Sequence, residues 1–408
     1  MKKLGGLALG ILAAVGGFVD MGGIITTSQA GAQYRFALLW TLIPGIVGFA
    51  VYADMGGRVA IASGRTMFDV IRDRLGFRLA LIPLVSTFVV NTLTLVVELA
   101  GMTLALELAT HVSYLLWFPV ATLFLAVILW KVRFEVLDNS AALLGLTMLV
   151  TVVTMVKLAP PWGQIAMETI HPSTETIDNL PSYLFAAIGL LGGYMTPYQF
   201  AFYTSGAIEE AWTGSDLLTN RVVAIIGTGF GAIIDFAIIV TCAVVLFPQH
   251  HQVNDLKDAT MPVRTSLGTL GFALFLLGTF AVSMGAGLET ALSGAYSVCQ
   301  NFGWDWGKKG KPRQAPMFHM LYLAMLCLAM ALAFTGVDPI KLTIVTLAIA
   351  AAALPFTFLP LLIVANDRDY MGDQRNSPAV NITASLILLL LCVVTVAVVP
   401  LLIMTGGS

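Results

Sequence analysis

Four carboxylates stand where the chain around them offers nothing to solvate a charge. Asp20 lies in GGFVDMGGI, Glu98 in NTLTLVVELAG, Asp235 in GAIIDFAII and Glu289 in GAGLETALSG, each inside a long apolar run. An ionised group at membrane depth is costly unless a partner compensates it, so each is a functional hypothesis. No basic residue neighbours them in sequence, and the charge they are suited to balance is a cation's. Asp54 and Glu107 lie nearer the ends of apolar segments and read as interfacial. For Asp235 and Glu289 two readings stay open: a group on a transport pathway, or a hydrogen-bonded packing residue.

Two interrupted helices give these acids a setting. From Gly16 to Gly31, GGFVDMGGIITTSQAG carries Asp20 between two apolar halves, with glycines on either side that let a helix unwind. From Gly189 to Glu210, GLLGGYMTPYQFAFYTSGAIEE is interrupted in the same way, here between Gly192 and Pro197. Unwound backbone is tolerated in a bilayer only where it lines a cavity. Interrupted segments at corresponding places in two halves point to the midplane site of a secondary transporter built on an inverted repeat.

Composition excludes most other classes. Of 408 residues, 58% are hydrophobic and 11% charged, with mean hydropathy +0.88, whereas a soluble chain carries about 25% charged residues. The expectation is a polytopic membrane protein without a soluble domain larger than a loop. A net charge of −2 and the lack of basic runs with interleaved aromatics argue against nucleic acid. Cys242, Cys299, Cys327 and Cys392 are scattered singly, which supports neither a disulfide framework nor a zinc site. No HExxH, Ser/His dyad or paired catalytic acids point to an enzyme. The start, MKKLGGLALGILAAVGGF, superficially resembles a signal peptide, but it runs straight into the Asp20 interruption and is read as a retained first span.

At about 20 apolar residues per span, eleven spans are expected, the first at about 7–30, the sixth at 181–208, the eighth at 267–298 and the last at 382–404. With the N-terminus inside, 16 of the 21 Lys and Arg residues fall on the cytoplasmic side, and this positive-inside bias supports the count. The C-terminus is then outside. Two outer loops carry polar clusters: Pro160 to Asn179, with Glu168, Glu175 and Asp178, and Pro248 to Val263, with His250, His251, Asp255 and Asp258. Both read as solvated loops, and Asn381-Ile-Thr383 as a chance match to a glycosylation motif.

Taken in order, these features resemble one known family. VDMGGIITTSQAGAQYRFALLW is similar to the first-helix signature of the natural-resistance-associated macrophage protein (NRAMP) divalent-metal transporters, Asp-Pro-Gly-Asn followed by a Gln-Ala-Gly stretch. The second interruption resembles that family's sixth-helix Met-Pro-His motif. Asn220-Arg221 at the start of span seven, Leu354-Pro355-Phe356 in span ten, and Asn366-Asp367-Arg368 followed by Met371-Gly372 also correspond. The resemblance covers nearly the whole chain. It implies an all-α polytopic membrane protein of eleven helices forming one transmembrane domain over 1–408. This is a five-plus-five inverted repeat with helices one and six broken: repeat one at about 7–158, repeat two at about 181–364, and an extra helix at about 382–404.

The resemblance also implies a metal site between the two breaks. Asp20 matches the metal-binding aspartate, Gly23 takes the place of the asparagine ligand, and Met21 that of the proline. Thr196 takes the place of the methionine, Tyr198 that of the histidine, and Gly193 that of the alanine whose carbonyl contributes. The metal site that the resemblance implies is thus Asp20, Gly23, Gly193 and Thr196; Glu98, Met195, Tyr198, Gln199, Asp235 and Glu289 are, from the residues themselves, candidates for places around it or on a proton path. These exchanges remove soft ligands. A thioether favours transition metals, whereas oxygen ligands and water suit Mg²⁺, Ca²⁺ and Mn²⁺. Mg²⁺ is commonly held by one or two carboxylates with several waters retained. The pattern is similar to the NRAMP-related magnesium transporters, a branch that has lost the sixth-helix methionine. Met195, one residue before Thr196, restores a thioether if helix six unwinds one residue differently, and with it a manganese or iron transporter.

Proton coupling is expected to be weak or absent. Tyr198 replaces the histidine, and a tyrosine ionises too high to carry protons at neutral pH. Leu95 replaces the aspartate that precedes the third-helix glutamate, which Glu98 matches. The membrane potential would then drive uptake, at about 2.3 kcal/mol per charge per 100 mV. The expected function is a transporter or facilitator importing Mg²⁺ and Mn²⁺ across a cytoplasmic membrane, the bacterial inner membrane. Its partners are the transported divalent ion and the lipid bilayer, with no cofactor, nucleic acid or obligate protein partner. Two other readings stay open: a proton-coupled Mn²⁺/Fe²⁺ transporter, and a Na⁺-coupled transporter of an organic cation or amine.

Overall fold

The computed structural model describes residues 19–132, 145–173, 177–308 and 312–406. Among them are fifteen α-helices and no strand. The first part holds α1 (Met21–Tyr34), α2 (Leu42–Ser63), α3 (Met67–Leu75), α4 (Phe77–Thr110), α5 (Tyr114–Lys131), α6 (Leu149–Leu158) and α7 (Trp162–Ile170). Then follow α8 (Leu180–Tyr194), α9 (Pro197–Glu209), α10 (Leu217–Val245), α11 (Leu256–Phe302) and α12 (Pro316–Ala333). The chain finishes with α13 (Pro339–Asn366), the short α14 (Arg368–Met371) and α15 (Pro378–Thr405).

Eight helices among the described residues are long and apolar enough to cross a bilayer. The three further spans expected from sequence each fail that test for a local reason. The leading half of the first, Leu7 to Gly17, lies outside the described residues, as does the opening basic segment. The sixth is divided into α8 and α9, of 15 and 13 residues. The fifth is described only from Gly145 onward and turns by 113° into α7.

The loops are more ordered than the sequence reading allowed. Glu168 is buried on α7, where it accepts a hydrogen bond from Gln164 Nε2 at 2.8 Å; Glu175 lies outside the described residues. The eighth span begins at Leu256 rather than near 267, because Asp255 and Asp258 close a capping box there. It kinks at Gly268, whose φ of 66° suits glycine alone. His251 pairs with Asp258 at 3.0 Å. Asn381 exchanges hydrogen bonds with Asn366 at 2.7 and 2.9 Å, so its side chain is a tie between helices.

Packing follows from what each helix must bury. α15 turns Leu386, Leu389, Val393, Val396 and Ile403 outward, as a helix facing lipid does. α4 lies along α11, and α1 along α10. The α1–α10 approach is close: a Cβ on Gly31 would stand 2.3 Å from the Ile239 carbonyl oxygen. α8 meets α13 in the same manner at Gly192, where a Cβ would stand 2.0 Å from the Leu347 carbonyl oxygen. Small residues at such crossings let membrane helices approach closely. Together these contacts bring both interruptions to one place.

Candidate functional site

Asp20 sits in extended backbone (φ −98°, ψ 178°) and caps α1, its Oδ1 accepting the Gly23 amide at 2.6 Å. Such a carboxylate satisfies one of the orphan N–H groups of a helix start. Gly22 and Gly23, expected in the unwound part, form the first helical turn instead, because the cap lets the helix begin at Met21. The Gly23 carbonyl accepts Thr27 Oγ1 at 2.5 Å, so Gly23 supplies room rather than a free oxygen. Asp20 Oδ2 accepts a hydrogen bond from the Tyr198 hydroxyl at 3.4 Å.

The second break is shorter than the sequence implied. Gly192 and Gly193 are helical, and only Met195 (φ −137°, ψ 60°) and Thr196 (φ −75°, ψ 140°) separate α8 from α9. Pro197 explains the stop: its ring disfavours helical backbone at Thr196, while its own fixed φ suits the first position of α9. The last carbonyls of α8, that of Gly193 among them, have no acceptor role left inside the helix. Thr196 is fully buried, its hydroxyl beside that of Tyr198. Gln199 is buried in the first turn of α9.

Met195 is turned elsewhere. Its Sδ packs so closely on α2 that a Cβ at Gly48 would stand 2.3 Å from it, with Ile387 of α15 against the same point. Tyr194 likewise fills the space over Gly45. The thioether therefore occupies a groove between α2 and α15.

The acids converge from different helices. Glu98 of α4 reaches the first break, its Oε2 accepting the Met21 amide at 3.2 Å. Gly101, one turn on, makes the approach possible: a Cβ there would stand 2.7 Å from Met21 Cβ and 2.4 Å from Ser283 Oγ of α11. Glu289, also on α11, acts electrostatically on Glu98 and Tyr198. Asp235 of α10 is fully buried, and neither carboxylate oxygen has a hydrogen bond. The hydrogen-bonded packing role that the sequence left open for it is thus not filled. Among the described residues Arg58 is the only buried Lys or Arg, and no three His, Cys, Asp or Glu side chains surround one point.

On one side of the breaks, a cavity of about 280 Å³ is lined by Thr26, Gln29, Gln33, Gly189, Asp338 and Lys341 among others. It reaches to within two turns of Asp20. On the other side the helices are tied shut by a polar cluster. Arg58 donates to Asp54 at 2.9 Å, to the Gln374 carbonyl at 2.9 Å and to Asn376 at 2.8 Å. Asn220 donates to Asp54 Oδ1 at 3.1 Å and accepts from Tyr203 at 2.8 Å. Sequence reasoning set Asp54 aside as interfacial and missed Arg58 and Tyr203. The signal was present: a basic residue four positions after an acid, within an apolar helix, is a pair on one face.

The whole arrangement has known counterparts. The chain matches the family described as natural resistance-associated macrophage protein-like over residues 10–400. It is 23% identical over 395 residues to the divalent metal cation transporter MntH of Mycobacterium leprae, covering 94% of this chain and 89% of that one. With the MntH of Deinococcus radiodurans it shares 24% over 365 residues, covering 87% and 80% of the two chains. The manganese transporter of Eremococcus coleocola superposes with a TM-score of 0.76 at 18% identity, over 98% of this chain and 87% of that one. That likeness carries the fold, an eleven-helix inverted repeat with broken helices one and six. A family match across almost the full length, on a chain whose two breaks meet at a capping aspartate, means that this protein belongs to the natural resistance-associated macrophage protein-like (Nramp) family.

Proposed function

We propose that the protein transports divalent metal cations, importing Mg²⁺ and Mn²⁺ across a cytoplasmic membrane with weak or no proton coupling. Relatives named as divalent metal cation transporters support the general class. The observation that carries the choice of ion is the pair of side chains at the second break. Thr196 stands there with a fully buried hydroxyl beside Tyr198, while the Met195 sulfur is packed against Gly48 and Ile387. The ligand set is then Asp20, the Gly193 carbonyl and Thr196, with Gly23 leaving space for retained water. Hard oxygen ligands with water suit Mg²⁺ and Mn²⁺, and nothing soft remains to favour iron.

Weak proton coupling rests on Tyr198, which stands beside Asp20 where a histidine would carry protons. Glu98 is the remaining candidate on a proton path. The N-terminus is assigned to the cytoplasm and the C-terminus to the outside by the distribution of Lys and Arg. The polar tie of Asp54, Arg58 and Asn220 then faces the cytoplasm, and the 280 Å³ cavity faces outward.

The test is uptake into proteoliposomes under a negative-inside potential, comparing Mg²⁺ with Mn²⁺ for the wild type and Asp20→Ala. Uptake of both ions by the wild type alone is expected, without acidification of the lumen. Uptake of Mn²⁺ only, with protons moving, returns the proton-coupled reading; if neither ion moves, the organic-cation reading takes its place.

A further inference from the structure

We infer that Asp235 is a second acidic group of the ion site, meeting the hydrated cation from α10. This inference rests on the divalent-cation reading and adds a residue that the site implied by the family resemblance does not use.

Asp235 has no other evident employment. It is fully buried, and both of its oxygens lack a hydrogen bond. Buried polar groups are nearly always satisfied, so an exception in the middle of a membrane helix calls for a partner of some kind. No buried Lys or Arg among the described residues can serve, since Arg58 is engaged by Asp54, Gln374 and Asn376. Asp235 also has the right neighbours: it acts electrostatically on Tyr194, the last residue of α8, and Asp20 acts on it in turn. The helix that carries it packs along α1, with Ile239, one turn on, against Gly31, so Asp235 lies within electrostatic reach of both breaks. Glu98, by contrast, already accepts the Met21 amide.

Charge gives the arrangement its purpose. A doubly charged ion beside Asp20 alone leaves one positive charge in a medium that solvates it poorly. A second carboxylate makes the site neutral. Mg²⁺ keeps several of its waters, so a carboxylate beyond direct reach still contributes by accepting hydrogen bonds from them.

The experiment uses the full chain purified in detergent and in proteoliposomes, with MgCl₂ as the probe. Asp235→Asn keeps the shape and removes the charge; Asp235→Leu removes the polar group altogether. Both variants should raise the Kd and KM for Mg²⁺ at least tenfold and shrink the rise in Tm that Mg²⁺ confers. Their Tm without metal should be equal to or above that of the wild type, since an unpartnered buried carboxyl is lost. Should Asp235→Leu fail to fold, Asp235→Asn decides alone. Wild-type Kd and KM in the Asn variant would overturn the inference and leave Asp235 a neutral packing group. A wild-type protein that neither binds nor transports Mg²⁺ would instead overturn the divalent-cation reading.

Discussion

Gly57 of α2 and Asn220 of α10 meet so closely that a Cβ on Gly57 would stand 1.8 Å from Asn220 Oδ1. That oxygen is the acceptor for Tyr203, and the same carboxamide donates to Asp54. One hydrogen-only side chain thus lets three helices share one amide.

Gly57→Ala should displace Asn220 and loosen this closure, at about 1–3 kcal/mol for overpacking a tight contact. Gly229→Ala, on the same α10 but with nothing within 4 Å of the new methyl, should be neutral or stabilise by about 0.5 kcal/mol through helix propensity. Thermal unfolding in detergent reads both. Equal Tm changes for the two variants would disprove the contact.

Gly101→Ala should damage transport more than stability. Its methyl would press on Met21 Cβ and Ser283 Oγ, the atoms next to the Glu98–Met21 hydrogen bond and to Asp20. Misplacing a site by about 1 Å can lower a rate on the order of 10²-fold. We expect the KM for Mg²⁺ to rise tenfold or more, and an unchanged KM would rule out this positioning role.

Thr196→Met should shift selectivity toward Mn²⁺ over Mg²⁺ by about tenfold, since it places a thioether at the break. Met195→Leu, a volume-conserving change in the groove of Gly48 and Ile387, should leave the Mg²⁺/Mn²⁺ ratio unaltered. Paired uptake of the two ions measures the ratio; a shift in the Leu variant would return the Met195 sulfur to the site.

Lys308 should give the segment after α11 a pH dependence. Its Nζ donates to the Leu129 carbonyl and its amide donates to Glu209 at 2.7 Å. Burial pushes its ammonium from 10.5 down to about 8, with Glu209 opposing. Between those values the unfolded chain keeps a proton that the folded chain has lost, so stability rises with pH across that window. The difference in Tm between wild type and Lys308→Met should therefore change in favour of the wild type from pH 8 to pH 10. A difference constant with pH would contradict it.

Much of this was legible in sequence because bilayers punish exceptions. Asp20 and Pro197 each mark a break, since an acid or a proline in an apolar helix must be accommodated. The extent of the breaks was not legible: glycine pairs read as unwinding, yet the Asp20 cap starts α1 at Met21, and Gly192 stays helical to pack on Leu347. Side-chain direction was hidden as well. Met195 and Thr196 are adjacent, and only the backbone angles between α8 and α9 turn the sulfur to α2. Asp54 looked interfacial although Arg58, four residues on, pairs with it; what was hidden is that Asn220 and Arg221, from 166 and more residues away, join the pair.

The cap on α1 has a further consequence for which ions pass. Asp20 Oδ1 accepts the Gly23 amide at 2.6 Å, whereas Oδ2 is engaged only by the Tyr198 hydroxyl at 3.4 Å, so an ion would meet Oδ2 alone at less cost than both oxygens together. Ca²⁺ gathers six to eight oxygens and often takes both from one carboxylate, whereas Mg²⁺ prefers single contacts in an octahedron. On the proposed site a helix start would thereby act as a sieve by denticity, and excess Ca²⁺ should compete poorly with Mg²⁺ uptake.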